Sequence, residues 1–246
     1  MKQIINLNNL SKLSFGNLEI EEINKTSPMI LICPGGGYDH LSTREGQPVA
    51  DKFKNLGYNV SILKYSVSPF YYPNFIDEID TAILYLHKHY KFLFLLGFSA
   101  GGHLVGIGST GKYSKLINGT IYCYPVCSLI DYPNEGTSKH FLSNDDTNAN
   151  RKKYSLENRV TKDTPPSFLW TTKEDEAVPP KNSIQFVEKL KTLNVKSEFV
   201  IFDHGKHGLA LADKTAIKDG DLSYVNKDVS KWPLLADSFI KKVLHE

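Results

Sequence analysis

Apolar and polar positions along this chain follow two alternating rhythms. Short runs that are almost wholly apolar are separated by longer stretches in which apolar residues recur every three or four positions. PMILIC (28–33) reads as a buried strand, and it ends in Pro34 and three glycines. VADKFKNLG (49–57) reads as a helix stopped by Gly57, and NVSILKY (59–65) as the next strand. FIDEIDTAILYLHKHY (75–90) places Ile76, Ile79, Ile83, Leu86 and Tyr90 on one helical face. FLFLL (92–96) is continuously apolar, as a strand covered on both faces requires. GFSAGG and a helix-compatible stretch follow it, then a strand at GTIYCY (119–124).

Residues 131–164 are polar and lack clear periodicity, which predicts a cap or lid insertion. SFLWTT (167–172) predicts a strand, 181–193 a helix carrying Ile184, Val187, Leu190 and Leu193, and SEFVIF (197–202) the last strand. A closing helix is predicted from Trp232 to His245, with Leu235, Phe239, Ile240 and Val243 inward. Strands alternating with helices predict an α/β fold with a mostly parallel central sheet covered on both faces. No repeat or linker divides the chain, so a single domain over residues 1–246 is expected.

Composition narrows this only slightly. With 246 residues, 41% hydrophobic and 23% charged, the chain can bury a large core unaided by disulfide or metal. A net charge of +2 supplies no strong field, so neither nucleic acid nor an anionic membrane is expected as a partner. The three cysteines, Cys33, Cys123 and Cys127, lie in or beside apolar runs and form no disulfide framework. The first residues lack an apolar core of signal-peptide length, and no run spans a bilayer. A cytoplasmic location is the expectation. The oligomeric state is left open, and a homo-oligomer is compatible with the pattern.

The chemistry concentrates in the loops that follow the strands. GFSAG (97–101) matches G-x-S-x-G between a buried strand and a helix, the context in which a serine is held out at the strand end. Ser99 is therefore the candidate nucleophile, with small Gly97 and Gly101 allowing close packing. PGGGY (34–38) follows another strand, and its glycines let backbone N–H groups approach a developing oxyanion. Gly36 and Gly37 are candidate donors there, with the Ala100 N–H as a third. G-x-G-x-x-G is absent at 35–40 and no P-loop lysine follows, which argues against a phosphate-cradling turn.

A base and an acid are expected later in the chain, in the order Ser, Asp or Glu, His. Asp175 lies just past strand 167–172, with Glu174 and Glu176 as rivals, and His207 just past strand 197–202, with His204 as its rival. Gly205 and Gly208 favour His207 by giving its loop freedom to approach the serine. His103 falls on the helix after the serine and reads as a packing or surface histidine. Tyr38, Phe70, Tyr71 and Tyr72 lie in loops on the same edge and are candidate pocket residues. REG (44–46) reads as a structural ion pair near the glycine loop.

ICPGGGY (32–38), REGQPVA (44–50), GYNVSILKYSV (57–67), GFSAGGHL (97–104), VTKDTPPSFLWTTKEDEAVP (160–179) and GKHG (205–208) together resemble the α/β-hydrolases. The branch they are similar to holds small acetyl esterases and acetyl-xylan-esterase-like proteins. The resemblance implies Asp175 of D-x-x-V-P as the acid and His207 of G-x-H-G as the base. It implies a serine carboxylesterase acting on short acyl esters, such as acetyl groups on sugars or simple alcohols, without cofactor or metal. Pro34 stands where hormone-sensitive-lipase relatives carry histidine, so that branch is not implied. An amide hydrolase of arylformamidase or peptidase type remains a second reading. A non-catalytic binding protein on the same scaffold is a third, disfavoured by the intact Ser, Asp, His and glycine loop.

Overall fold

The computed structural model describes residues 2–245. Eight strands form one sheet: β1 (Lys2–Asn6), β2 (Asn17–Glu21), β3 (Met29–Cys33), β4 (Asn59–Lys64), β5 (Leu93–Phe98), β6 (Gly119–Cys123), β7 (Ser167–Thr172) and β8 (Ser197–Phe202). Their order across the sheet is β1-β2-β4-β3-β5-β6-β7-β8. β3 to β8 run parallel, and β1 and β2 extend the β4 edge antiparallel.

The helices are α1 (Gln47–Asn55), α2 (Tyr72–His89), α3 (Ala100–Ser109), α4 (Glu135–Leu142), α5 (Asn148–Tyr154), α6 (Pro180–Thr192) and α7 (Trp232–His245). Strand pleating sends successive side chains to opposite faces. In β3, Ile30 and Ile32 join Val49 and Phe53 of α1 and Trp232 and Ile240 of α7 in one core. Met29, Leu31 and Cys33 join Ile79 and Ile83 of α2, Leu104 of α3 and Phe186 of α6 in the other. β5 is buried along its whole length, which is why its sequence is apolar without alternation.

Three expectations need correction, and one segment carries structure that its sequence did not announce. β1 and β2 lie where no strand was expected. β1 is an edge strand whose residues are mostly exposed, so hydrophobic pattern barely marks it. Residues 131–164 carry α4 and α5, whose helices of eight and seven residues are too short to show a period. Tyr72 opens α2 instead of lying in a loop. Leu235 of α7 points to solvent, and Trp232, Ala236, Phe239 and Ile240 form the inward face.

Candidate active site

β5 turns into α3 at Ser99, which has φ 51° and ψ −117°. A residue with a Cβ rarely adopts that conformation, and it persists only where neighbours over-determine it. Here the Ser99 N–H donates to the Cys123 carbonyl at 3.0 Å. Its own carbonyl accepts from the N–H groups of His103 and Val126, both at 3.1 Å. The flanking glycines are demanded by space. A Cβ on Gly97 would lie 2.2 Å from the Gly101 carbonyl oxygen, and one on Gly101 would lie 2.2 Å from that of Cys33.

Ser99 Oγ lies 2.8 Å from Nε2 of His207, whose Nδ1 lies 2.7 Å from Oδ2 of Asp175. A carboxylate only accepts, so Nδ1 carries the proton and Nε2 is left to accept the serine hydroxyl. Asp175 is buried, and its Oδ1 accepts the Val178 N–H at 2.8 Å. The rivals pair with each other instead. His204 Nδ1 lies 2.8 Å from Glu174 Oε1 in solvent, and Glu174 Oε2 accepts the Gly205 N–H. Hydrogen bonding to Glu174 raises the pKa of His204.

Gly36 and Gly37 line the cleft beside Ser99 and His207, and Ala100 opens α3 directly after the serine. Gly36, Gly37 and Tyr38 all have positive φ, at 125°, 64° and 59°. Among the described residues no acceptor takes the N–H of Gly36, Gly37 or Ala100. The cleft has a volume of about 330 Å³, and His40, Arg44, Asn134, Thr137 and Tyr224 complete its wall.

The aromatic residues expected to line it do not. Tyr38 is buried, with its hydroxyl 2.9 Å from Nδ1 of His103. Phe70 stacks on Phe15 with ring centroids 4.8 Å apart. Tyr71 packs edge-on against Tyr72, and Tyr72 lies 4.8 Å from the ring of Tyr154. Positive φ at Tyr38 turns its side chain away from the cleft its neighbours face, which sequence spacing does not reveal. His103 is a packing histidine: Nε2 donates to the Tyr154 carbonyl, and burial lowers its pKa to about 4.

Arg44 and Glu45 form no ion pair with each other. Arg44 Nη1 donates to the carbonyls of Gly208 (2.8 Å) and Ala216 (3.0 Å), and its guanidinium lies 4.4 Å from the ring centre of Tyr224. Glu45 is buried beneath the glycine loop and accepts from the Gly35 N–H and the Tyr124 hydroxyl. Asn134 caps α4, Thr137 lies within it, and Tyr224 comes from a short helical turn near the C-terminus. None carried a sequence signal beyond polarity. REG, lying just after the glycine loop, was the available signal for Arg44 and Glu45.

The family model described as the prolyl oligopeptidase family matches residues 77–223, more than half of the chain. The chain belongs to the prolyl oligopeptidase family. This family member resembles the structure of an acetyl ester-xyloside bifunctional hydrolase from Caldicellulosiruptor lactoaceticus, with TM-score 0.83 and 30% identity over 93% of this chain and 88% of that one. It also resembles a sugar hydrolase from Lactococcus lactis, with TM-score 0.87 and 30% identity over 100% and 99% of the two chains. The eight-stranded sheet and its helices are accordingly those of an α/β-hydrolase. Among curated proteins it is 26% identical to an acetylxylan esterase of Xylanibacter ruminicola over 75% of this chain and 42% of that protein. It is 30% identical to endo-1,4-beta-xylanase B of Butyrivibrio fibrisolvens over 75% of this chain and 33% of that protein. The chain thus spans less than half the length of the curated relatives it matches.

Proposed function

We propose that this member of the prolyl oligopeptidase family is a serine carboxylesterase that removes short acyl groups, acetyl above all, from small hydroxylated alcohols including sugars. The observation that carries the reading is the hydrogen-bonded line from Asp175 through His207 to Ser99, at 2.7 and 2.8 Å.

A serine hydroxyl attacks an ester only when a base takes its proton. His207 Nε2 accepts that proton as Ser99 Oγ bonds to the acyl carbon. Asp175 holds the Nδ1–H tautomer and stabilises the imidazolium. The carbonyl oxygen becomes an oxyanion facing the Gly36, Gly37 and Ala100 N–H groups. Losing one such donor typically costs about 3–4 kcal/mol of transition-state stabilisation. Collapse expels the alcohol, which leaves with the proton from Nε2, and an acyl-enzyme remains. Water then repeats the sequence, regenerating Ser99 and releasing the acid.

Several features support short acyl chains and polar alcohols. The cleft is small, and its wall is built of His40, Arg44, Asn134 and Thr137 rather than apolar side chains. Two related structures are named for acetyl-ester and sugar hydrolysis. The reading treats residues 1–246 as one domain with 131–164 as its cap. Among the described residues no helix is long and apolar enough to cross a membrane, and three buried, unpaired cysteines fit a reducing compartment such as the cytoplasm.

The deciding experiment is hydrolysis of p-nitrophenyl esters from acetate to octanoate, by wild type and Ser99→Ala. Acetate is expected to be fastest, and Ser99→Ala to fall by at least about a thousandfold. The family's name makes peptide amides the necessary comparison. A peptidyl p-nitroanilide cleaved faster than every ester would replace this reading with a peptidase.

A further inference from the structure

Glu45 makes hydrogen bonds to two loops that the proposed chemistry needs to hold in register. Its side chain is 3% exposed, yet both carboxylate oxygens are engaged. Oε2 accepts the Gly35 N–H at 2.8 Å, at the root of the glycine loop. Oε1 accepts the Tyr124 hydroxyl at 2.6 Å. That hydroxyl in turn accepts the Ala210 N–H at 2.9 Å, three residues beyond His207. The Tyr124 ring meets the His207 imidazole edge to face, with centroids 5.0 Å apart.

Gly35 is itself pressed against the serine, since a Cβ there would lie 3.0 Å from that of Ser99. Tyr124 directly follows β6 with φ 38°, a positive value strained for a residue with a side chain, and its N–H is tied to the Trp170 carbonyl at 2.7 Å. One buried carboxylate therefore bridges the loop after β3 to the residue after β6, and through it to the loop after β8.

We infer that Glu45 is a positioning residue: with Tyr124 it sets the distance between the oxyanion donors and His207. The inference rests on the esterase reading above. Acyl transfer depends on simultaneous placement of nucleophile, base and oxyanion donors, and a shift of about 1 Å can cost on the order of a hundredfold. Glutamine in place of Glu45 keeps the volume but presents one acceptor and one NH₂ group. The NH₂ must then face either the Gly35 N–H or the Tyr124 hydroxyl. Phenylalanine at 124 keeps the ring and severs the bridge.

The test compares wild type, Glu45→Gln, Tyr124→Phe and the double variant. It measures kcat and KM for p-nitrophenyl acetate, the rate of Ser99 labelling by a fluorophosphonate, and the thermal midpoint. Each single variant is expected to lose about ten- to a hundredfold in kcat and in labelling rate, with KM within about threefold. The double variant is expected to be no slower than the slower single, because both substitutions cut one connection. A lowered thermal midpoint with kcat within about twofold of wild type, or losses that multiply in the double variant, would overturn the role. Wild type that neither hydrolyses the ester nor takes the label defeats the esterase reading itself, and the inference with it. Labelled wild type alongside equally fast variants defeats the inference alone.

Discussion

At residue scale the structure is most demanding where β5 meets α3. Ser99 occupies its strained conformation because Gly97 and Gly101 let two backbones touch. Gly101→Ala puts a methyl group 2.2 Å from the Cys33 oxygen and 2.3 Å from that of Pro34. The strand and helix must then part, so ester hydrolysis is expected to drop by about a hundredfold or more even in the fraction that folds. Steady-state kinetics on the purified soluble fraction checks this. His103 supplies a different signature. Burial lowers its pKa to about 4 from 6.5, and its Nδ1 faces a hydroxyl that already donates to it. Between those pH values the unfolded chain binds a proton that the folded chain refuses. Stability is therefore fully retained above about pH 6.5 and declines as pH falls toward 4, by on the order of 3 kcal/mol. His103→Gln is expected to remove that slope relative to wild type, read from urea midpoints at several pH values. Ser99, Asp175 and His207 were candidates because each follows its own strand, with the family resemblance favouring the last two over their neighbours, and the structure brings the three within hydrogen-bonding distance. The sequence could not show that Glu174 and His204, each one or three positions away, pair with each other in solvent.

The parallel strands and the long helices were legible element by element, because each buries enough apolar surface to print a rhythm. β2 went unread although its exposure alternates, because only Leu18 and Ile20 are buried in its five residues, and β1 lies at the sheet edge and buries almost nothing. Residues 131–164 were legible only as an interruption. α4 and α5 bury the apolar Phe141, Leu142 and Tyr154 but also the polar Thr137 and Ser138, so their short runs look merely polar. What α4 touches is informative. His140 of α4 hydrogen-bonds the Gly37 carbonyl at 3.0 Å, and Asn134 donates to the Ala177 carbonyl in the loop of Asp175. The start and end of α4 are thereby tied to the Asp175 loop and to the glycine loop. His140→Ala is expected to lower kcat by about tenfold, the worth of one positioning hydrogen bond, with little change in thermal midpoint. Unchanged kcat would reduce α4 to a wall of the cleft.

For the whole molecule, the sheet separates two cores, and α7 seals one of them. Trp232 stacks on Trp170, packs against Phe53 and Phe98, and donates its indole N–H to the Ala210 carbonyl at 2.8 Å. Trp232→Ala is expected to cost roughly 3–5 kcal/mol in urea unfolding, with the lost indole bond also loosening the His207 loop. The residues proposed to act together are drawn from positions 35 to 210 and from loops after β3, β5, β6, β7 and β8. No short fragment of the chain contains them all. Contacts so distant in sequence close late, after local helices and neighbouring strands have formed. During refolding, far-ultraviolet circular dichroism should therefore recover before ester turnover does. The interval between the two signals would time the final docking of the loops, making catalysis itself the clock of the last folding event.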